Sequence, residues 1–310
     1  MSASALDPCI AVIGSSMMDL TCYAKAIPGP GETAFGDLFT TGFGGKGANQ
    51  AVMAQRAGAQ VYMVGKVGDD LFGNSIKDNF ETQGLFTSFL ESSTLPTGVA
   101  HIWVDESGEN RIIIVPGANH DIDPAVAARS VATVASAKIV IGQCELRQEV
   151  TLAAFHAAKQ NGATTILNPA PFQHLSAELL SLTDWLIPNE VEFSQIHPEH
   201  LLPTSDEIIA SLRPGQHVVV TLGSDGAAIA NSTGEVTRVS APKVTAVDST
   251  GAGDCFIGTF ASALLKDHDP ITAVRIGCEA ASVSVTRKGA QSSYPTEAEM
   301  TQLIQRLVSA

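Results

Sequence analysis

Short apolar runs alternate along this chain with segments of helical character, and this alternation constrains the fold more than any other feature. The runs, each short enough to be one buried strand, are Cys9–Ile13, Val61–Val64, Lys138–Ile141, Thr164–Leu167, Trp185–Ile187 and His217–Thr221. The helical segments between them are Leu71–Thr82, Pro124–Val134, Gln148–Asn161 and Asp206–Leu212. Repeated β–α units of this kind form an α/β fold with a mostly parallel central sheet and helices on both faces. No internal repeat, low-complexity tract or linker interrupts the pattern, so we predict a single α/β domain over residues 1–310.

A second pattern, short β-prone pieces without helical segments, interrupts the alternation twice. We predict that these pieces pair into a small β-sheet lid, discontinuous in sequence and formed by about residues 20–43 and 98–115. All of these pieces are expected to be antiparallel strands, and the later two, Gly98–Val104 and Arg111–Val115, are expected to be joined by a hairpin turn at Asp105–Asn110.

The charge balance excludes two classes of partner. The formal net charge is −14, the pI is near 4.9, and no run of Lys or Arg forms a patch. Neither nucleic acid nor an anionic membrane surface is therefore expected as a partner, and any positive field for an anionic ligand must be local. No apolar stretch approaches the roughly 20 residues that cross a bilayer, and Met1–Pro8 carries no basic residue of a signal peptide. The five cysteines are scattered without CxxC spacing, which favours reduced thiols and a cytoplasmic location.

The stretch Asp248–Asp254 places a glycine-rich bend between two acidic residues, directly before the apolar run Cys255–Leu265. A helix that starts here leaves the backbone N–H groups of its first turn without intrahelical partners, and its macrodipole adds partial positive charge. Glycines at 251 and 253 let a ligand approach the backbone. The stretch therefore predicts an anion cradle that contains a carboxylate. The alternative is an Asp/Gly turn in which Asp254 is an ordinary helix N-cap.

Polar residues follow several predicted strands at the point where each strand ends. Ligands of open α/β sheets bind at the carboxyl ends of the strands, so these residues are candidates for one site: Asp19, Gln143, Glu145, Asn168, Asn189, Glu192, Thr221 and Gly223. A row of acceptors from Asp19 to Glu145 suits sugar hydroxyls. Asn189 and Glu192, one helical turn apart, suit the water shell of a magnesium ion. Taken singly, each of these residues also has a structural explanation as a loop residue.

The segment Gly42–Gln50 satisfies the pattern G-x-G-x-x-G and admits two functional interpretations. One is the dinucleotide-binding turn of an oxidoreductase. This interpretation is weakened because a lid strand precedes the segment, and because Lys66 stands where a ribose-binding carboxylate is wanted. In the other interpretation, close packing demands the glycines while Lys46 and Asn49 point at a hydroxyl-rich ligand. A glycine-rich turn with a helix cap is the structural alternative, and in each case we expect a helix over Ala51–Ala57.

Together these motifs resemble the ribokinase or phosphofructokinase-B-type family of carbohydrate kinases, over nearly the whole chain. Gly44–Ala51 resembles the first signature of that family, and Asp248–Phe256 resembles the second. Pro116–Asn119, Asn168–Pro171 and Thr286–Gln291 are more similar to ribokinases than to adenosine kinases or fructokinases. The resemblance implies a ribokinase-like fold and the ATP-dependent transfer of a phosphoryl group to the 5-hydroxyl of D-ribose.

The resemblance also implies roles for individual residues. Asp254 would be the general base that takes the proton of that hydroxyl, in front of an anion hole formed by Thr250, Gly251, Ala252 and Gly253. The sugar would be held by Asp19, Gly45, Lys46, Asn49, Glu145 and Asp254. The nucleotide would face Asn189, Thr221, Gly223, Gly253 and Cys278, and Glu192 would organise magnesium through water. An activating potassium ion would bind, mostly through backbone oxygens, at Asp248, Thr250, Ser284, Arg287, Gly289 and Ser293.

Two residues depart from the pattern of the family. Met17 stands where many bacterial ribokinases have an Asn that contacts the sugar, and Cys278 stands where His or Asn commonly lies near the adenine. The resemblance further implies that the lids of two subunits meet in a homodimer. A non-catalytic sugar-binding protein of the same fold is the remaining alternative to a kinase. The presence of Asp254 with its flanking glycines disfavours that alternative.

Overall fold

The computed structural model describes residues 7–199 and 203–308, and its strands form two separate sheets. The strands within this part of the chain are β1 (Cys9–Ile13), β2 (Met17–Tyr23), β3 (Leu38–Gly44), β4 (Val61–Gly68), β5 (Phe86–Ser93), β6 (Gly98–Val104), β7 (Asn110–Val115), β8 (Ala137–Gly142), β9 (Thr164–Leu167), β10 (Trp185–Leu186), β11 (His217–Thr221), β12 (Ala227–Ala230) and β13 (Val236–Val239). The larger sheet has nine strands in the order β13-β12-β11-β10-β9-β8-β1-β4-β5. From β11 to β5 every neighbouring pair is parallel, and β12 and β13 extend the sheet as antiparallel strands. The predicted α/β fold with a mostly parallel sheet is confirmed.

Helices cover both faces of the large sheet. They are α1 (Lys46–Arg56), α2 (Leu71–Thr82), α3 (Pro124–Thr133), α4 (Gln148–Gln160), α5 (Ala177–Ser181), α6 (Glu190–Ile196), α7 (Ser205–Ser211), α8 (Ala252–Leu265), α9 (Pro270–Ser284) and α10 (Glu297–Val308). Side chains along a strand point alternately to its two faces, and β1 shows the result: Ile10 and Val12 join the core under α1, α2, α8, α9 and α10, whereas Ala11 and Ile13 join the core under α3 to α7. Among the described helices, none combines the length and the apolar character that a bilayer crossing requires.

The smaller sheet has four strands in the order β3-β2-β6-β7 and matches the predicted lid strands. β3 and β7 are antiparallel to their neighbours, but β2 and β6 pair in parallel, with Met17 opposite Gly98. The expectation of antiparallel strands is therefore wrong for this central pair. No hairpin joins β2 to β6, so turn geometry does not impose an antiparallel arrangement on them.

The start of helix α1 and the presence of strand β5 also differ from the expectation. Helix α1 begins at Lys46, five residues before the predicted Ala51, because tertiary packing accommodates the glycine that local propensity disfavours in a helix. Strand β5 was not predicted at all. It is an edge strand of mixed composition that buries only Leu90 and Ser93, so its sequence lacks both a continuous apolar run and a regular alternation.

Candidate active site

A cleft of about 210 Å³ opens where strand ends of the large sheet meet the start of α8. Its lining includes Lys46 from the start of α1, and Asn168, Asn189 and Thr221 from three successive strand ends. Glu192 and the segment Gly251–Asp254, which were predicted as site residues, also line the cleft. Residues separated by about two hundred positions thus share one cavity, as the strand-end argument predicts.

Helix α1 reaches this cleft because two glycines let it pack directly against the loop after β1. A Cβ atom on Gly47 would lie 2.5 Å from the Cα atom of Gly14, closer than two carbon atoms can approach. This contact brings Asn49 and Gln50, both buried, behind the cleft and within hydrogen-bond distance of Asp254. The glycines of the first signature therefore serve close packing. The dinucleotide interpretation is wrong, because β3 lies in the small sheet and Gly47 is the second residue of a helix.

The start of α8 has the open backbone that an anion requires. Its N-cap is Gly251, whose φ of 73° lies in the left-handed region that favours glycine, and the hydroxyl of Tyr294 donates to the carbonyl oxygen of Gly251 at 3.0 Å. A Cβ atom built on Gly253 would meet nothing within 4 Å, so free space lies in front of the first turn. The helix is 14 residues long, and its dipole adds positive potential at this end.

Asp254 is the third residue of α8 and is 6% exposed. The amide of Asn49 donates to its Oδ2 atom at 3.1 Å, and the amide of Gln50 donates to its Oδ1 atom at 2.8 Å. The carboxylate thus turns toward α1, away from the backbone of its own helix. The interpretation of Asp254 as the N-cap is wrong, because Gly251 occupies that position.

Two further carboxyl groups lie near Asp254 but do not line the cleft itself. Glu145 follows β8 and accepts hydrogen bonds from the hydroxyl of Ser15 and from the backbone N–H of Lys46. Burial raises its pKa, although the charge of Lys46 and these hydrogen bonds oppose the rise. Asp19 lies on β2 beside Gly44, where any Cβ would collide with its carboxylate. Burial, with the nearby charges of Glu145 and Asp254, raises the pKa of Asp19 to about 7.

Lys46 supplies the local positive charge that an acidic protein needs for an anionic ligand. Asp254 raises the pKa of Lys46, burial opposes this rise, and Glu145 adds to it. The ammonium group therefore stays protonated beside the carboxyl groups of Asp254, Glu145 and Glu192. Gly45, directly before it, has a φ of 90° and is the N-cap of α1.

Asn189 and Glu192 form a reciprocal capping box at the start of α6. The backbone N–H of Glu192 donates to the side chain of Asn189 at 2.8 Å, and the backbone N–H of Asn189 donates to the side chain of Glu192 at 2.9 Å. Burial raises the pKa of Glu192. Both residues line the cleft, together with Thr221, which pairs with Asn189 in an isolated parallel bridge. The capping contacts and the position on the cleft are compatible, because each side chain retains further lone pairs.

The donor set near α6 suits a hydrated magnesium ion better than a directly bound one. In the part of the chain that the structure describes, no group of three or more His, Cys, Asp or Glu side chains comes together as a metal site. Magnesium commonly keeps several waters and binds through one or two carboxylates and substrate phosphates. Glu192, as a single carboxylate on the wall of the cleft, matches that mode.

Gly223 and Cys278 stand apart from the other predicted nucleotide positions. Gly223 is exposed just after β11. Cys278 lies on α9, is 4% exposed and belongs to the hydrophobic core. Neither residue lines the cleft.

The predicted potassium positions come together from two loops. The backbone N–H groups of Val247 and Asp248 donate to the carbonyl oxygen of Val285, and the N–H of Gly289 donates to the Asp248 side chain at 2.8 Å. Burial by itself would raise the pKa of Asp248, but hydrogen bonds from Gly289 and Thr250 hold it below its usual value. The side chains of Ser284, Arg287 and Ser293 bond to Ala281, Glu299 and Ala290 respectively. These contacts bring the two segments together around the carboxylate of Asp248.

Several side chains at the site had no role assigned from the sequence. They are Ser15, which bonds to Glu145; Gln50, which bonds to Asp254; Gln143, which bonds to Gln50; and Gln291, which bonds to Asn49. Gln50 and Gln291 lie within the quoted motifs, and Gln143 lies at a strand end, so their positions carried a signal. Their partners are up to 242 positions away in sequence, and no local pattern indicates such pairings.

The fold and this cleft define a kinase of small carbohydrates, and comparison with known proteins agrees. Residues 8–297 match the pfkB family carbohydrate kinases, and the chain belongs to this family. It is 41% identical over 296 residues to the ribokinase of Bacillus subtilis (strain 168), covering 95% of this chain and 99% of that protein. It is also 37% identical to the deoxyribokinase of Salmonella typhi, covering 93% and 95% of the two chains.

A solved structure with bound ligands is similar over nearly the full length. The structure of Arabidopsis thaliana ribokinase complexed with ribose and ATP superposes with a TM-score of 0.90 at 30% identity, covering 97% of this chain and 99% of that chain. The ribokinase of Thermotoga maritima gives a TM-score of 0.88 at 35% identity, covering 96% and 99%.

Proposed function

We propose that this chain is an ATP-dependent sugar kinase that transfers the γ-phosphoryl group of ATP to the 5-hydroxyl of D-ribose, with D-ribose 5-phosphate and ADP as products. The observation that carries the proposal is the buried carboxylate of Asp254, held by two amides at the open start of α8. The ribokinases among the relatives support ribose as the acceptor.

Asp254 acts as the general base in this proposal. It accepts the proton of the 5-hydroxyl while the oxygen of that hydroxyl bonds to the γ-phosphorus and the bond to the β-γ bridging oxygen of ATP breaks. Phosphoryl transfer has a loose transition state, so the protein contributes mainly positioning and charge stabilisation. The anion hole of Thr250, Gly251, Ala252 and Gly253 meets the charge on the transferring group with backbone N–H groups and the helix dipole. The free space in front of Gly253 supports this assignment.

The sugar is assigned to the side of the cleft toward the small sheet. Asp19 and Glu145 accept hydrogen bonds from its hydroxyls, and Lys46 and Asn49 donate to its oxygens, beside the exposed backbone at Gly45. Two observations support this assignment. The carboxyl groups of Asp19 and Glu145 are buried near Asp254, and Lys46 is protonated beside Asp254 and Glu145. Closure of the small sheet over the sugar would exclude water and limit the hydrolysis of ATP.

The nucleotide is assigned to the opposite side of the cleft. Asn189, Thr221 and Gly223 face the nucleotide, and Cys278 lies near the adenine. Glu192 holds magnesium through water, and the bound ion neutralises phosphate charge. Potassium is assigned to the two loops that carry Asp248, Thr250, Ser284, Arg287, Gly289 and Ser293. Their contacts with each other and with the start of α8 support an activating role for the ion.

We also infer a homodimer that forms through the small sheet, in the cytoplasm. Strand β7 is exposed along its whole length, and four consecutive residues, Ile112 to Val115, are large apolar side chains. Leu38 and Phe39 on the opposite edge strand β3 are exposed as well. Apolar patches of this kind mark association surfaces. The five free thiols support a reducing compartment. The net charge of −14 disfavours anionic partners.

A coupled assay of ADP release over a panel of acceptors tests the function. The panel contains D-ribose, 2-deoxyribose, fructose and adenosine, each with potassium chloride and with choline chloride at equal ionic strength. We expect the highest kcat/KM for ribose and a lower rate when choline replaces potassium. A higher kcat/KM for 2-deoxyribose would reassign the acceptor, and the absence of ADP release with every acceptor would favour a non-catalytic binding protein.

A further inference from the structure

We propose that Gln50 is a positioning residue for Asp254, and that Gln143 keeps Gln50 in the orientation in which it donates to the carboxylate. The inference deepens the proposed function and rests on Asp254 being the general base. It concerns two side chains behind the cleft that contact neither the sugar nor the nucleotide in the assignments above.

Gln50 uses both ends of its amide within the protein. Its Nε2 atom donates to Asp254 Oδ1 at 2.8 Å and to Asn168 Oδ1 at 3.2 Å, so both of its hydrogens are engaged. Its Oε1 atom accepts from Gln143 Nε2 at 2.8 Å. Gln50 is 0% exposed, so bulk water offers no competing partner.

The bond from Gln143 determines which end of Gln50 faces the carboxylate. A flipped Gln50 would point its oxygen at the oxygens of Asp254 and Asn168, and it would lose the hydrogen bond from Gln143. Both changes are unfavourable in a buried site, where an unmatched polar group costs more than in water. Gln143 therefore acts on Asp254 through Gln50, across a chain of two amides.

The second carboxylate oxygen is held in the same manner from another direction. Asn49 donates to Asp254 Oδ2, and Asn49 in turn accepts from Gln291 Nε2 at 3.1 Å. One donor on each oxygen fixes the plane of the carboxylate. Each oxygen keeps a second acceptor position, and Asp254 lines the cleft, so the group remains able to take a proton from a substrate hydroxyl.

This arrangement predicts a loss of turnover without a loss of sugar binding. Gln50→Met keeps the length of the side chain but removes the donor, and we expect kcat to fall about 10- to 100-fold, the value of one hydrogen bond to a charged group. The KM for ribose should stay within about twofold, because Gln50 does not line the cleft. Gln143→Met, which leaves the Gln50 donor in place but frees its orientation, should lower kcat by a smaller factor.

A matched control separates positioning from general loss of structure. Gln216 is another buried amide, 3% exposed, that donates to the backbone oxygens of Leu180 and Thr183 away from the cleft. Gln216→Met should lower the midpoint of thermal unfolding about as much as Gln50→Met does, but it should leave kcat unchanged. If Gln50→Met does not fold, the kcat of Gln143→Met decides the question.

A double-mutant cycle with Asp254 gives the decisive readout. Because Gln50 acts through Asp254, Gln50→Met should lower kcat no further in an Asp254→Asn background. Independent, multiplying losses would overturn the inference, as would a kcat for Gln50→Met within twofold of the wild type, or an equal loss in Gln216→Met. Failure of the proposed function looks different, since the wild-type protein itself would then release no ADP with ribose.

Discussion

Lys46 lies among the carboxyl groups of Asp254, Glu145 and Glu192, and at the scale of single residues this charge cluster, with Asp19 beside Glu145 and Asp254, decides how the site works. Burial is the largest cause that raises the pKa of both Asp19 and Glu145, whereas Asp254 is the largest cause that raises the pKa of Lys46. The cluster therefore combines one positive charge with two carboxyl groups whose pKa burial raises. Two predictions at this scale separate the roles of the carboxyl groups.

Replacement of Asp254 by Asn should remove the base but keep the shape of the site. Positioned general bases typically contribute roughly 10²- to 10⁴-fold in rate, and we expect kcat to fall on that scale. Ribose and ATP should still bind, which calorimetry would show. Asp206→Asn is the matched control, because that exposed carboxylate lies in the first turn of α7. Turnover near that of the wild type in Asp254→Asn would remove this residue from the mechanism.

Asp19 should make the stability of the protein depend on pH. Because the pKa of Asp19 is raised from its ordinary 3.8 to about 7, the folded protein retains a proton in this window that the unfolded chain has released. The free energy of unfolding then falls as the pH rises from about 4 through 7. Asp19→Asn lacks this contribution, so its thermal midpoint should exceed that of the wild type at about pH 8, and the difference should shrink toward about pH 5. A difference that does not change with pH would contradict the shift.

At the scale of the elements, two helix starts build the site by opposite uses of glycine. At Gly47 in α1 a side chain is excluded because Gly14 lies against the backbone. At Gly253 in α8 a Cβ atom would meet no atom of the described chain within 4 Å, so packing does not require glycine there. The first glycine serves packing between elements. The second leaves room that the folded protein does not itself fill, which is the expected property of a ligand position.

The two glycines should therefore respond differently to the same substitution. Gly47→Ala forces α1 away from Gly14, and overpacking of this kind costs about 1–3 kcal/mol of stability. Gly253→Ala should fold as well as the wild type or better, since Ala favours a helix over Gly by about 1 kcal/mol. Its methyl group would stand in the proposed anion hole and lower kcat/KM for ATP. Thermal unfolding and steady-state kinetics check both halves, and normal activity in Gly253→Ala would show that the space in front of α8 does not hold the phosphoryl group.

At the scale of the whole molecule, the small sheet leaves apolar surface exposed that the rest of the described chain, residues 7–199 and 203–308, does not cover. Its edge strand β7 presents Ile113 at 60% exposure between Ile112 and Ile114. An exposed apolar edge strand is an aggregation hazard unless another chain covers it. A second copy of the same sheet would cover both the surface and the edge.

Association through β7 should be sensitive to one charge. Ile113→Asp should convert a dimer to a monomer in sedimentation velocity, because a buried unpaired carboxylate opposes the interface. Leu71→Asp is the control: Leu71 is equally apolar and 84% exposed, but it lies at the start of α2, outside the small sheet. A wild-type protein that sediments as a monomer, or an Ile113→Asp variant that remains a dimer, would rule out this interface.

Periodicity in the sequence predicted the parallel sheet, the lid strands and most helix limits because these depend on local patterns of burial. The strands Thr164–Leu167 and His217–Thr221, and the helix Leu71–Thr82, coincide with their predicted bounds. The start of α1 and the existence of β5 were not predictable in this manner. The start of α1 depends on the contact of Gly47 with Gly14 in the loop after β1. The existence of β5 depends on its place at the edge of the sheet.

The sequence by itself indicated part of the composition of the site, since Asn168, Asn189, Thr221 and the glycine-rich bend share one cleft. Only the tertiary structure decided how their atoms are connected. It joined Asp254 to Gln50 and Asn49, and Asp248 to Gly289, and it left Cys278 in the core. Hydrogen bonds between side chains depend on distance and orientation in three dimensions. Neither quantity is encoded by spacing along the chain once the partners lie on different elements.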